Sequence, residues 1–214
     1  MRTLYHFRHS PFSRRVRLAL AHKELDCELR EGRENPRWVA EARRLVPLQT
    51  MPVLQDGDRV LGDSTAITRY LDAAYPTGGR IWPEGDDLVD VLRATTLVDV
   101  VLDSVVYLGT RYFALRDHPS WPTVKDEALG RARGAAEGLA GLLGELAGRS
   151  TIAPSGWSAA DMWLFTLTIW FEGLPARAAS GGGAAQVHSL GFSLPSALST
   201  WADAHRGRAE VVTL

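Results

Sequence analysis

The first third of the chain switches repeatedly between two periodicities of apolar residues. Thr3 to Phe7 has the short apolar run of a strand. Pro11 to Lys23 carries Val16, Leu18, Ala19, Leu20 and Ala21 with arginines between them, as a helix against a sheet does. Leu25 to Leu29 alternates as a second strand. Asn35-Pro36 opens a helix to about Leu45, with Trp38, Val39 and Ala42 on one face, and Pro47 ends it. Met51 to Leu54 and Arg59 to Gly62 flank Asp56-Gly57, the pattern of a hairpin. Asp63-Ser64 precedes a helix bearing Ala66, Ile67, Tyr70, Leu71 and Ala74, stopped by Pro76 and Gly78-Gly79. The order β-α-β-α-β-β-α predicts one sheet of mixed direction with helices on both faces.

Between Tyr75 and Asp87, prolines and glycines mark a linker, and the pattern beyond it changes. Leu88, Val91, Leu92, Thr95, Val98, Leu102 and Val105 recur at helical spacing and predict a long helix to about Leu115. Val124 to Ala147 is a second long helix, with a stripe through Ala128, Ala132, Ala135, Leu139, Leu142 and Leu146. Ser158 to about Phe171 is very apolar and belongs at the centre of a bundle. The Ala/Gly-rich stretch Ala176 to Val187 reads as a mobile loop, and Pro195 to His205 as the final helix. No strand pattern follows the linker. The expected architecture is a small α/β domain over residues 1–77, a linker over 78–87 and an all-α helical bundle over 88–214.

Composition narrows the function classes. The 214 residues are 45% hydrophobic and 23% charged, ordinary for a soluble globular protein. A formal net charge of −1 argues against non-specific nucleic-acid binding and against a strongly anionic membrane partner. The single cysteine, Cys27, excludes an intrachain disulfide, a two-cysteine redox cycle and a cysteine-rich metal site; it is expected as a small strand residue. The six histidines lack metal-ligand spacing, so no metal is expected. No apolar signal core precedes the first strand and no run reaches transmembrane length, so the expected location is cytoplasmic.

Candidate chemistry concentrates at Ser10-Pro11-Phe12-Ser13. Ser at an N-cap and Pro at the first helical position aim free N–H groups and the positive end of a helix at one point. Such a point stabilises a carboxylate, a phosphate or a thiolate; the same geometry also serves an ordinary capped helix. Ser64, after Asp63, has the same two readings. Ser158-Ala159-Ala160-Asp161 is a capping box, with Trp157 and Met162 spaced for a hydrophobic staple; it is a folding element with no catalytic part.

The ordered set of Ser10-Pro11-Phe12-Ser13-x-Arg-Val-Arg-x-Ala-Leu, Met51-Pro52-Val53-Leu54, Asp63-Ser64-Thr65-Ala66-Ile67, the Pro/Gly linker and Ser158-Ala159-Ala160-Asp161 resembles the cytosolic glutathione transferase family over nearly the whole chain. The resemblance implies a thioredoxin-like fold for the N-terminal domain and a serine-type active site. Ser10 would donate a hydrogen bond to the glutathione thiolate, lowering a thiol pKa that is about 8.5 when unperturbed. Ser13 and Tyr5 are rival candidates for that role. Ser10 also aligns with the first cysteine of glutaredoxin-like Cys-Pro-Phe-Cys sequences; serine at both cysteine positions removes disulfide exchange through the protein's own thiols. Pro52 matches the family's cis-proline, which would put the Val53 backbone at the sheet edge against the cysteinyl backbone of glutathione. Ser64 would hold the γ-glutamyl carboxylate, and Asp63 would accept from the α-amino group. Gln49-Thr50 stand where the family often has Gly-Lys, leaving Arg33, Arg37, Arg43 and Arg44 as candidates for the missing cationic contact.

By the same resemblance, the electrophile site lies between the domains. Tyr107, Arg111, Tyr112 and Phe113 form its expected wall, with Trp163 beside them, although helix packing suits these residues equally. Arg8 and His9 flank the turn and face either the electrophile or solvent. A homodimer is implied, with Asp99 and Asp103 in reach of the partner's site. The implied activity is attack of an activated glutathione thiolate on a small electrophilic or apolar substrate. The alternatives are a glutathione-dependent isomerase, dehalogenase or ether-cleaving enzyme, and a non-catalytic ligand-binding member of the fold.

Overall fold

The computed structural model describes residues 1–212. Four strands form one mixed sheet: β1 (Arg2–His6), β2 (Glu28–Glu31), β3 (Val53–Asp56) and β4 (Arg59–Gly62), in the order β2-β1-β3-β4. β2 runs parallel to β1, while β3 is antiparallel to both β1 and β4. The pleat sends alternate residues of β1 to opposite faces. Leu4 and Leu54 join the main core with α1 (Pro11–His22) and α3 (Ser64–Ala74), whereas Tyr5 and Val53 pack with Ala42 of α2 (Pro36–Leu45). The thioredoxin-like arrangement of a mixed sheet between helices follows from this alternation.

The segment joining the two parts is anchored rather than free. Asp72 accepts from the Ile81 and Trp82 N–H groups at 3.0 and 2.9 Å. The buried Lys23 ammonium pairs with Asp72 at 2.9 Å and donates to the Tyr75 carbonyl. Beyond it come α4 (Asp87–Leu115), α5 (Trp121–Glu145), α6 (Ala159–Glu172), α7 (Leu174–Ala178), α8 (Gly182–Ser189), α9 (Ser196–Asp203) and α10 (Ala209–Val212). The apolar core is continuous across the junction, running from Val16 and Leu20 of α1 through Trp82 to Trp163 and Leu167 of α6. α6 is apolar all round because it is surrounded: Ala159 through Thr168 are all buried. Its start is held by the buried Asp161 carboxylate, which accepts from Ser158 N, Ser158 Oγ and Ile152 N at 2.9–3.0 Å.

Three expectations need correction. The second strand lies at Glu28–Glu31, three residues later than the alternation suggested, so Cys27 precedes it. Cys27 is partly buried, and burial pushes its thiol up to about 11. The stretch 176–187 is not a loop: it holds the end of α7 and most of α8. Packing overrides the weak propensity of its Ala/Gly run. At Gly109 of α4 a Cβ would sit 2.3 Å from Val187 Cγ2, so glycine lets α8 lie directly on α4. Finally, α9 is not the last helix, since α10 follows and His22 of α1 bonds Glu210 within it.

Candidate active site

Strand register gathers the predicted residues at one end of the sheet. Tyr5 pairs with Val53, and Val53 with Gly62, so the exit of β1, the entry to β3 and the exit of β4 are neighbours. His6 pairs in parallel with Glu31, which brings the exit of β2 to the same end. Ser10 follows β1, Pro52 precedes β3, Asp63-Ser64 follow β4 and Arg33 follows β2. Four loops distant in sequence thus share one rim.

Ser10 is the N-cap of α1. Its Oγ accepts from Ser13 N at 3.3 Å, and Pro11 at the first helical position has no N–H. The Ser10 hydroxyl proton is left to donate outward, and accepting from Ser13 strengthens it as a donor. Ser13 is fully buried, and its Oγ accepts from Phe7 N at 3.3 Å. Tyr5 lies on the opposite face of the sheet. Its hydroxyl donates to Glu41 at 2.7 Å and accepts from Arg30 at 3.0 Å; burial and that carboxylate push it up to about 12. Of the three rivals, only Ser10 opens on the cavity described below.

The Met51–Pro52 bond is cis. Val53 begins β3, an interior strand, so it stands at the strand's end and not at a lateral edge of the sheet. Asp63, not Ser64, is the N-cap of α3. It sits at φ +73° with Oδ1 accepting from Thr65 N and Ala66 N, both at 2.9 Å. Its Oδ2 has no hydrogen-bond partner among the described residues. Ser64 is the first helical residue and is buried.

A cavity of about 630 Å³ lies between the α1 turn, α4 and the α7–α8 segment. Phe7, Phe12, Val106, Trp170 and Val187 give it an apolar wall, and His9, Arg33 and Arg177 give it a polar one. α8 starts here at Gly181-Gly182, whose φ values of +80° and +68° require glycine, and no side chain caps it. His9 is held below its ordinary pKa by burial and by Arg14, Arg177 and Arg33. Arg14 is drawn down to about 10 by burial, then by Arg17 and Arg177.

The structure brings α4 to the cavity, but not the named side chains Tyr107, Arg111 and Tyr112. α4 lines the cavity through Val106, Gly109 and Thr110. Tyr107 is half exposed, with Arg111 stacked 5.6 Å from its ring centroid one turn on, and neither lines the cavity. Tyr112 packs edge-on against Trp121 of α5. The Phe113 side chain lies outside the described residues. Trp163 is core: it lies under the Arg15 guanidinium at 4.4 Å and against Trp82. Asp99 pairs within the chain, at 2.6 Å from the buried Arg15. Arg8 is exposed and pairs with Glu34, while Arg37, Arg43 and Arg44 do not line the cavity. Arg177 and the glycines of α8 were missed, because a segment read as a loop offered no face on which to place them. Among the described residues, no three His, Cys, Asp or Glu side chains form a metal-holding group.

A family model for the glutathione S-transferase N-terminal domain matches residues 4–93. A probable glutathione S-transferase GSTU1 of Oryza sativa subsp. japonica is 31% identical over 170 residues, covering 76% of this chain and 70% of that protein. The chain belongs to the glutathione S-transferase family. Other similarities of this glutathione S-transferase family member are shorter. Glutathione S-transferase Z1 of Arabidopsis thaliana is 41% identical over 78 residues, 34% of each chain. A probable maleylacetoacetate isomerase of Vibrio cholerae is 42% identical over 87 residues, 38% of this chain and 39% of that one. The matched part thus spans about a third of the first curated relatives. Among solved structures, rice GST1 in complex with glutathione is 26% identical, with a TM-score of 0.67 over 99% of this chain and 89% of that one. A glutathione S-transferase from Methylobacillus flagellatus with glutathione bound is 23% identical, with a TM-score of 0.74 over 100% and 98%.

Proposed function

We propose that this protein binds glutathione along the loop-bearing end of its sheet and activates the thiol for attack on a small electrophile held in the adjacent cavity. Residues 1–77 would form the glutathione-binding domain, 78–87 the linker and 88–214 the electrophile domain. The observation that carries the reading is Ser10: an N-cap hydroxyl with a free proton, at the positive end of α1, opening on a cavity with an apolar wall. A thiolate there gains a charge-assisted hydrogen bond and the helix dipole. The buried Ser64 at the start of α3 suits the γ-glutamyl carboxylate, and the unengaged Asp63 Oδ2 suits the ammonium group. Both assignments rest on the family's pattern and on the register that gathers these loops.

In the reaction, the thiol proton leaves to solvent and the sulfur lone pair forms a C–S bond to the electrophile. The leaving group departs with the electron pair of the bond that breaks, or the added pair is protonated on an unsaturated substrate. Ser10 holds the thiolate, and the cavity supplies proximity. The test is turnover of an electrophilic chloronitroarene by wild type and Ser10→Ala. Loss of the donor should lower kcat/KM by roughly a hundredfold or more; equal rates would remove Ser10 from the mechanism. Cytoplasmic residence, a homodimer and a detoxifying role belong to this proposal. Among the described residues, no helix is long and apolar enough to cross a membrane.

The similarity to a probable maleylacetoacetate isomerase favours a second reading, in which the thiolate adds reversibly and glutathione is regenerated. Product analysis separates the two, because only transfer consumes glutathione.

A further inference from the structure

The cavity is unusual in its charge. His9, Arg33 and Arg177 line it and, among the described residues, no aspartate or glutamate does, although the chain as a whole carries a formal charge of −1. Arg177 projects from the short α7 and donates to the Trp170 carbonyl, with its guanidinium 5.6 Å from the Trp170 ring centroid. A Cβ on Gly173 would meet its Nη1 at 2.5 Å, so the backbone beside it is cut away to seat this side chain. Arg14, on α1 and outside the cavity lining, has Nε and Nη1 buried and without hydrogen-bond partners among the described residues. Among the described residues, Arg14, Arg33 and Arg177 take part in no ion pair, whereas Arg8, Arg15 and Arg30 each do. Glu31 is the acid that opposes the surrounding arginines at His9, and its carboxylate is already occupied by the backbone N–H groups of Arg8 and Arg33.

Arg14 and Arg177 are partly buried, whereas Arg33 is exposed; unpaired guanidinium groups partly withdrawn from water, as the first two are, are costly unless an anion meets them. Like charge adds to that cost: beyond burial, the larger cause in each, Arg17 and Arg177 lower the pKa of Arg14, and Arg33 lowers that of Arg177. A neutral hydrophobic electrophile would satisfy Phe12, Val106 and Trp170 but leave this charge uncompensated. Glutathione brings two carboxylates, of which one is accounted for at Ser64. The other can take Arg33, at the exit of β2, leaving Arg177 without a counter-ion.

Building on the glutathione reading above, we infer that the electrophile this cavity selects carries a carboxylate, held by Arg177 with Arg14 in support, on an aryl or unsaturated skeleton that lies against Phe12 and Trp170. The guanidinium fork presents paired N–H donors to a carboxylate, which a neutral amide of the same shape cannot match. Arg14 acts through the field at Arg177 and is a positioning residue.

The test is binding of a matched pair of conjugates, S-(4-carboxy-2,6-dinitrophenyl)glutathione and its 4-carboxamide, with glutathione alone as the reference, by calorimetry at low salt. The acid should bind at least about tenfold more tightly than the amide. The ratio should fall toward one in Arg177→Gln, return in Arg177→Lys, and shrink at high ionic strength. A purely structural role for Arg177 would weaken both conjugates together and leave the ratio intact. If glutathione binds but acid and amide bind equally, the charge selection is wrong while the glutathione reading stands. If glutathione itself fails to bind, both fall together.

Discussion

At Asp63 one carboxylate meets two demands. Oδ1 caps α3 through Thr65 N and Ala66 N, and the residue sits at φ +73°, where aspartate and asparagine are better tolerated than alanine. Asp63→Ala should therefore destabilise the protein by about 1–2 kcal/mol. Asp63→Asn keeps the cap and should stay within about 0.5 kcal/mol while weakening glutathione binding; urea unfolding and calorimetry on both variants separate cap from charge. His6 makes a pH prediction. Burial, with Arg17 and Arg8 nearby and Glu31 opposing them, holds its imidazole down to about 4 against 6.5 in the unfolded chain. The folded state keeps it neutral, so the unfolded chain takes up the proton first as pH falls. Stability is full above about pH 6.5 and drops between 6.5 and 4, by on the order of 3 kcal/mol from this group. Urea midpoints of wild type should fall more steeply over that window than those of His6→Gln; parallel curves would contradict it. The cis Met51–Pro52 bond was expected from the family resemblance alone, and the positions of candidate residues were legible where local sequence sets their geometry, as at the Ser10 N-cap. On α4 they were not. Val98, Leu102 and Val105 mark the core face, but nothing local divides the remaining positions between the cavity and the outer surface. Val106 and Thr110 took the cavity, and Tyr107 and Arg111 did not.

Among the elements, the start of α6 is held by one buried carboxylate. Asp161→Ala leaves Ser158 N, Ser158 Oγ and Ile152 N without their acceptor, and should cost at least about 2 kcal/mol. A change in the urea midpoint worth less than about 0.5 kcal/mol would show that the cap is dispensable. This element was readable from sequence because a capping box and an all-apolar period are local signals. So were α1, α3, α4 and the hairpin. α7 and α8 were unreadable for the opposite reason. Their Ala/Gly composition has little preference of its own, and Gly109 on a distant helix creates the seat that orders them. The same segment carries Arg177, so the failure to see an element became a failure to see a residue that lines the cavity.

For the whole molecule, the seam between the two parts is sealed rather than hinged. Arg15 crosses from α1 to Asp99 of α4 at 2.6 Å and lies over Trp163 of α6. Lys23 and Asp72 fasten the connecting segment. Arg15→Met should destabilise the chain by about 2–4 kcal/mol, because it removes the buried cation paired with Asp99 and leaves that carboxylate only the Trp163 Nε1 donor at 3.4 Å. The continuous core further predicts that tryptophan fluorescence and far-ultraviolet circular dichroism trace one coincident unfolding transition; two separated transitions would show that the halves fold independently.

The most direct measurement is the ultraviolet absorbance of the glutathione thiolate on the protein, titrated with pH, in wild type and Ser10→Ala. A bound thiol pKa well below about 8.5 in wild type, returning toward that value in the variant, is the expected result. Glutathione bound with an unshifted thiol, or a shift that survives the loss of the Ser10 hydroxyl, would contradict a thiolate held at the start of α1.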